Sequence, residues 1–321
     1  MHKIPHIRNL FMLLGIALSG LLPLHAQTET PAATVPVHMT VTLDALGGNK
    51  SIPEVNRDDV IVKQGENPLK VTDWTPARGE HAGLDLFILI DDASDLKLGL
   101  QLDDLRAFIN AQPPTTLVGV GYMRNGTVQI AQDFTIYHNQ AAKALRLPNA
   151  SSSVYGNPYL SLIDLLNRWP KDSSRREVIM VSDGIDRFRG AMDSRGLMFI
   201  SPDMESASGI AQRSGTIIDT IFTPGVGRLV RNYWAINNGL NSMAKLSEET
   251  GGDSFNFGPH SAVSFKPYLD ALQKELDNQY ILQFQAIPGA KPGLQHVYLS
   301  TKVADVELES ANSVWVQAKH P

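Results

Sequence analysis

Cysteine is absent from the 321-residue chain. That excludes a disulfide scaffold, a Cys-ligated zinc or iron–sulfur centre, a thiol nucleophile and a lipid anchor on cysteine. An excess of positive charge is absent too. Against 33 Asp and Glu there are 28 Lys and Arg, for a formal net charge of −5, so nothing in the composition asks for a nucleic-acid partner. Long apolar runs are missing after the first 26 residues, and no later stretch approaches the ~20 residues that span a bilayer as a helix. Catalytic signatures are scarce. The nine His form no His-Glu pair of a zinc hydrolase. Ser208-Gly209 lacks the preceding glycine of a nucleophile elbow, and no Gly-x-x-x-x-Gly-Lys loop occurs. What remains is 43% hydrophobic and 19% charged, the balance of a folded globular protein.

Residues 1–26 read as a secretory signal peptide. Lys3 and Arg8 make a basic start, residues 10–22 are apolar and uncharged, Pro23 breaks the run, and Ala26 offers a small residue for cleavage before Gln27. Removing these 26 residues leaves 295 and takes away two basic and no acidic side chains, so the net charge moves from −5 to −7. Export without cysteine implies a bacterial protein of the periplasm or the exterior that folds without disulfides. No transmembrane segment is expected once the signal is cleaved. Residues 27–36, polar and rich in Pro and Thr, read as a linker.

From 37 to 83 apolar residues alternate with polar ones, as in Val37, Met39, Val41 and Leu43, then Val60 and Val62, then Leu69, Val71 and Trp74. This is the pattern of short strands. Residues 84–278 read differently. The stretches 84–90, 178–182 and 216–222 are nearly continuous apolar runs, typical of strands buried on both faces. Helical spacing appears at 98–109, 141–147, 159–169, 204–213, 233–250 and 263–276. Asn125-Gly126 marks a hairpin between two further strands, and Gly251-Gly252 a helix C-cap. From 279 to 321 strand alternation returns. The expectation is a doubly wound, Rossmann-like α/β domain at 84–278, inserted into a small β-sandwich-like domain of about six or seven strands made of residues 37–83 and 279–321.

The run 84–90 is followed by Asp91-Asp92-Ala93-Ser94-Asp95, and the run 178–182 by Asp183-Gly184-Ile185-Asp186. Ligand sites of open α/β sheets gather at the carboxyl ends of strands, and two acidic loops there suit a hard cation with oxygen ligands. Asp and Gly are also ordinary turn and cap residues at such places. The pieces LDLFILIDDASD, LVGVGYMRNGTVQIAQDFT, REVIMVSDGID, KLSEETGG and ELDNQYILQFQ, in this order, resemble a von Willebrand factor type A (VWFA) domain. More narrowly they are similar to the acidobacterial-type VWFA-related proteins, over most of the mature chain. The resemblance implies a metal-ion-dependent adhesion site: D-x-S-x-S after the first strand, Thr in a middle loop, and Asp after a later strand. Asp91 matches the first Asp and Asp183 the last. Ala93 and Asp95 stand where the two Ser belong, and Asn157 stands where the Thr belongs.

Ala93 cannot ligate a metal. Asp95 adds negative charge, and Asn157 offers a carbonyl oxygen acceptable to Mg²⁺ or Ca²⁺. Three carboxylates together repel unless a cation neutralises them, and Arg187, Arg189 or Lys97 can serve in place of a metal. The expected site is therefore degenerate. It consists of Asp91, Asp95, Asn157 and Asp183, requires no cofactor, and binds Mg²⁺ or Ca²⁺ weakly or not at all. The function this implies is that of an exported, non-enzymatic protein-binding, cell-adhesion or scaffold protein. Its site loops would meet a protein partner, with Ser94, Tyr155, Tyr159 and Asp186 as contact residues. The alternative is a haloacid-dehalogenase-like, metal-dependent phosphohydrolase, which also carries Asp after its first strand. That chemistry needs a second Asp two residues on as the acid, where this chain has Ala93.

Overall fold

The computed structural model describes residues 34–46, 51–170, 175–188, 200–256, 258, 260 and 262–318. The signal-peptide reading and most of the linker reading lie outside these residues. Among the described residues no helix is long and apolar enough to cross a membrane.

Three strands come first: β1 (Val35–Ala45), β2 (Val60–Gln64) and β3 (Asn67–Pro76). The linker reading to residue 36 runs too far, because Val35 and Pro36 pair with Ala286 and Gln285. Val35 packs on the apolar core of this region. Pro36 is tolerated because the other neighbour of β1 pairs only with residues 41–45, so no ladder bond is needed from its missing N–H.

The α/β half follows with β4 (Leu84–Asp91), α1 (Leu102–Ala111), β5 (Thr116–Arg124), β6 (Thr127–Thr135), α2 (His138–Ala144), α3 (Pro158–Arg168), β7 (Arg176–Ser182), α4 (Pro202–Ser214), β8 (Thr216–Phe222), α5 (Tyr233–Thr250), β9 (Ser254–Phe255) and α6 (Lys266–Asp277). Its sheet has the order β6-β5-β4-β7-β8-β9. Every pairing is parallel except that of β6 with β5. All eight residues of β4 are buried, and their side chains alternate between two cores. Leu86, Ile88 and Ile90 face α1 and α6, while Phe87 and Leu89 face α3 and α4. Each such side chain contributes about 1.5–3 kcal/mol by leaving water. Asn125 and Gly126 both have positive φ (52° and 73°), as a two-residue type I′ hairpin requires. α5 stops at Gly251, whose φ of 80° is left-handed. The helical pattern at 98–109 divides into a 3₁₀ turn, Leu96–Leu100, and α1. Asp95 starts the turn by accepting from Lys97 N at 2.8 Å.

The C-terminal flank adds β10 (Gln279–Ala286), β11 (Gly293–His296), β12 (Tyr298–Thr301), β13 (Val306–Ser310) and β14 (Ser313–Val316). Strands of both flanks share one sheet, β12-β2-β3-β10-β1-β13, and β11 pairs with β14 as a two-stranded ribbon. The two edge strands β12 and β13 are joined by only residues 302–305, so the sheet curls back on itself. The flanks thus form a curled sheet and a ribbon, eight strands among the described residues. The extra strand is β11, whose residues carry no apolar alternation. Trp74 stacks on Tyr280 at 4.6 Å inside the core that these strands enclose.

The chain passes between the two halves at residues 82–84 and 277–279. One buried side chain holds both places. Arg175 donates to Ala82 O (3.1 Å), Gly83 O (3.2 Å) and Gln279 Oε1 (2.8 Å). Gln279 in turn donates to Glu177 Oε2 at 2.9 Å.

Candidate functional site

Strands β4, β7 and β8 run parallel and end on one edge of the sheet, where the loops that follow them meet. After β4, Asp91 turns inward. Its Oδ1 accepts from Ala93 N and its Oδ2 from Ser182 Oγ, each at 2.9 Å. After β7, Asp183 Oδ1 accepts from Ile185 N (3.0 Å) and from Arg187 Nη1 (3.1 Å), and Arg187 Nη2 pairs with Asp183 Oδ2. The backbone N of Arg187 donates to Gly156 O at 2.8 Å, which ties this loop to the one before α3. After β8 the chain closes over the ion pair. A Cβ on Gly225 would collide with Asp183 Oδ2 and Arg187 Nη2, so this position needs glycine. Val226 N donates to Ala93 O at 2.8 Å, and Ser94 bridges Gly225.

The arrangement is buried, with the Arg187 side chain 4% and that of Asp183 3% exposed. Burial lifts the pKa of Asp91 to about 6 and the charge of Asp183 adds to this, while Arg187 and the bonds from Ala93 and Ser182 oppose it. Burial works against the charge on Arg187, yet Asp183 and Asp91 hold its pKa above the usual guanidinium value. The cation between the two acidic loops is therefore the chain's own. Asp92 is neutralised in the same manner: it accepts from Arg146 (2.7 and 3.2 Å) and from Asn149 (2.6 and 3.0 Å). Arg146 lies 3.7 Å above the ring of Tyr122.

Two acidic loops thus stand side by side at the carboxyl ends of β4 and β7, in a parallel sheet with one antiparallel edge strand and a core on each face. This is the doubly wound, Rossmann-like α/β arrangement expected from the sequence. In structure the chain is similar to an aerotolerance-related membrane protein from Bacteroides fragilis NCTC 9343 with multiple mutations to serines. That match has a TM-score of 0.42 and 12% identity, and covers 61% of this chain and 99% of that one. The chain is also similar to a von Willebrand factor type A protein from Catenulispora acidiphila (TM-score 0.44, 10% identity, 90% of this chain, 75% of that one). A third similarity is to the ArnB paralog VWA2 from Sulfolobus acidocaldarius (TM-score 0.38, 12% identity, 89% of this chain, 76% of that one). No family model and no curated protein matches the chain.

Of the four ligands expected from the sequence, Asp91 and Asp183 stand at neighbouring strand ends and Asn157 lines one cavity with Asp91, whereas Asp95 is engaged elsewhere. Asp95 points its carboxylate at Lys97 N, as the cap of the 3₁₀ turn. Asn157 caps α3: its Oδ1 accepts from Tyr159 N and Leu160 N, each at 3.0 Å, and its Nδ2 donates to Asp203 Oδ2 at 2.8 Å. The carbonyl oxygen expected to ligate is committed to starting a helix. Among the described residues no group of three or more His, Asp or Glu is placed to hold a metal ion. With the guanidinium of Arg187 on both oxygens of Asp183, the residues present do not fit a divalent cation. Of the three cations named as stand-ins, Arg187 takes the role, and Arg189 lies outside the described residues.

Three of the four expected contact residues do not reach solvent. Ser94 is 1% exposed, and its hydroxyl has no hydrogen-bond partner among the described residues. Tyr159 is fully buried and donates its hydroxyl to Gly184 O at 2.8 Å. Asp186 is buried, accepting from Phe188 N (3.0 Å) and Ser201 Oγ (2.7 Å). These residues shape the loops from beneath. Tyr155, 61% exposed, is the one on the surface, and it meets the ring of Phe188 at 6.1 Å.

Sequence reasoning missed Phe188 and the exposed pair Tyr233 and Trp234, which stand edge to face at 5.6 Å. A signal for the pair exists. The buried stripe of α5 runs through Ala235, Gly239, Ser242 and Leu246, and the two aromatics at its start fall out of phase with it. Between the loops lies a cavity of about 220 Å³, lined among others by Arg124, Asn149, Ser153 and Arg187.

Proposed function

We propose that this protein is an exported, non-enzymatic protein-binding or scaffold protein, adhesion being one form of that role. It uses the loop edge of its type A domain without a bridging metal. The observation that carries the reading is the Arg187–Asp183 pair beside Asp91. A metal could enter only by expelling a buried, hydrogen-bonded guanidinium, and stripping one member from such a pair costs about 3–5 kcal/mol. The site is thus a degenerate adhesion site whose charge is balanced from within. The exposed rings of Tyr155 and Phe188 lie on the loops beside it, and Trp234 is exposed at the start of α5, where Ala235 packs on Ile185; aromatic residues of this kind are enriched at protein interfaces. The phosphohydrolase reading gains no support, since both oxygens of Asp91 are engaged and Ala93 supplies no acid.

Two measurements test the proposal. In calorimetric titration of the purified protein with Mg²⁺, Mn²⁺ and Ca²⁺, no heat of binding is expected; micromolar binding that Asp183→Ala abolishes would overturn the metal-free site. In pull-downs from bacterial envelope extracts containing EDTA, a protein partner is expected with the wild type and not with a Tyr155→Ala/Phe188→Ala/Trp234→Ala variant. Equal recovery by both sinks the binding face.

A further inference from the structure

The charge of the loop edge differs from that of the whole chain. The net charge is −5, yet the carboxylates of the site loops are turned inward. Asp91, Asp92, Asp183 and Asp186 are all buried and accept internal hydrogen bonds. Arg124, Arg228 and Arg231 are exposed at the same edge, and none of them has an ion-pair partner among the described residues. The segments are contiguous. A Cβ on Gly227 would strike Ser152, and one on Gly126 would meet Leu160 and lie 3.8 Å from Tyr155 O. The chain carrying Arg228 and Arg231 therefore abuts the loop carrying Tyr155, and so does the turn carrying Arg124. Arg124 also lines the 220 Å³ cavity.

We infer, building on the metal-free binding face proposed above, that its partner is an acidic protein segment bearing an aromatic or aliphatic side chain. The three arginines pair with its carboxylates, and its apolar side chain lies against Tyr155, Phe188 and Trp234. Charge complementarity selects the occupant. Guanidinium groups make bidentate bonds to carboxylates, and a surface that combines exposed Arg, Tyr and Trp has the composition of interface hot spots. In this design the charges that recognise the partner lie outside the buried Arg187 pair, which keeps the acidic loops from repelling it.

The test is selection from a random 12-residue peptide library displayed on phage, using the purified full chain in EDTA. Enrichment of peptides carrying Asp or Glu beside Trp, Phe or Leu is expected. By fluorescence anisotropy a selected peptide should bind about tenfold more weakly to an Arg124→Glu/Arg228→Glu/Arg231→Glu variant, since three exposed pairs are lost and replaced by like-charge repulsion. It should weaken similarly between 50 and 500 mM NaCl. All three positions are exposed, so an unchanged melting temperature serves as the fold control. Selected peptides without acidic enrichment, or with equal affinity for the charge-reversed variant, overturn the inference. So does preferential binding of an oligo-dT strand or of vesicles containing phosphatidylglycerol. If the aromatic variant loses its envelope partner while the charge-reversed variant keeps it, the binding face stands and the acidic partner falls.

Discussion

The two ends of the α/β sheet bury carboxyl groups in different ways. At the loop end, Asp183 and Asp92 are each matched to an arginine, Arg187 and Arg146. At the opposite end, facing the β half, Glu177, Asp219, Asp253, Glu275 and Glu309 crowd together with Arg175 near one side only. There burial, helped by neighbouring carboxylates, raises the pKa values of Asp219, Glu275 and Glu309, and burial raises that of Glu177. Burial and the charge of Glu177 raise Asp219 well above the usual carboxyl value. Burial and Asp253 push Glu275 to about 9, and burial with Asp253, Asp44 and Glu307 pushes Glu309 to about 7. A buried charge must be paired or removed by protonation. The difference teaches that one domain uses a fixed cation where its loops must hold a shape, and an exchangeable proton where two halves meet.

The comparison can be broken most sharply at the loop end. Arg187→Met should destabilise the protein by about 3–5 kcal/mol in urea unfolding, because it strands a buried carboxylate. Adding Asp183→Asn should recover most of that loss, since replacing both members of a buried pair is often neutral. A double variant as unstable as the single one would show that packing, not charge, makes Arg187 necessary. Arg175→Met should cost less, about 2–3 kcal/mol, for the unmet carbonyls of Ala82 and Gly83 and the loss of a charged donor to Gln279.

At the proton-holding end the prediction concerns pH. Glu275 and Glu309 have folded-state pKa values of about 9 and about 7, above their ordinary 4.5. Between those limits the folded chain binds more protons than the unfolded one, so stability declines as pH rises. The contribution is complete below about 4.5 and lost through pH 7 to 9. The melting temperature should fall between pH 5 and pH 9, and Glu275→Gln should flatten the upper part of the fall. A melting temperature that rises over this range would contradict the protonated cluster. The smallest effect is expected of Glu177→Gln. Its amide keeps an oxygen for Gln279 Nε2 and offers an N–H to the Asp219 carboxyl in place of the second oxygen, and the change in stability should be less than about 1 kcal/mol.

Much of the fold was legible because its signals are local. The runs at 84–90, 178–182 and 216–222 are apolar on both faces, Asn125-Gly126 carries its own turn geometry, and Gly251 its own cap. Asp91 and Asp183 were legible as well, from their places at strand ends. The directions of side chains inside loops were not. Asn157 looks like a ligand until Asp203, 46 residues on, and the first turn of α3 claim both ends of its amide. Asp186 looks exposed until Ser201 reaches it. The choice of Arg187 over Arg189 or Lys97 depends on how residues 183–187 turn, and the closure by Gly225 depends on a loop about forty residues away. Such choices are made by tertiary hydrogen bonds that no periodicity records.

The sheet order has a consequence for synthesis. β1 has two neighbours, β10 and β13, and both lie beyond the whole α/β half. As the chain emerges, its first strand has no partner until nearly its last strands are made. Joining ends so far apart in a flexible chain carries a large closure entropy, although one that grows only with the logarithm of the length. If the α/β half folds first, Arg175 already holds Gly83 beside Gln279, and the distant flanks leave it side by side. The inserted half then acts as a template for the strands around it, and a chain that stops short of β13 leaves one edge of β1 open to other molecules.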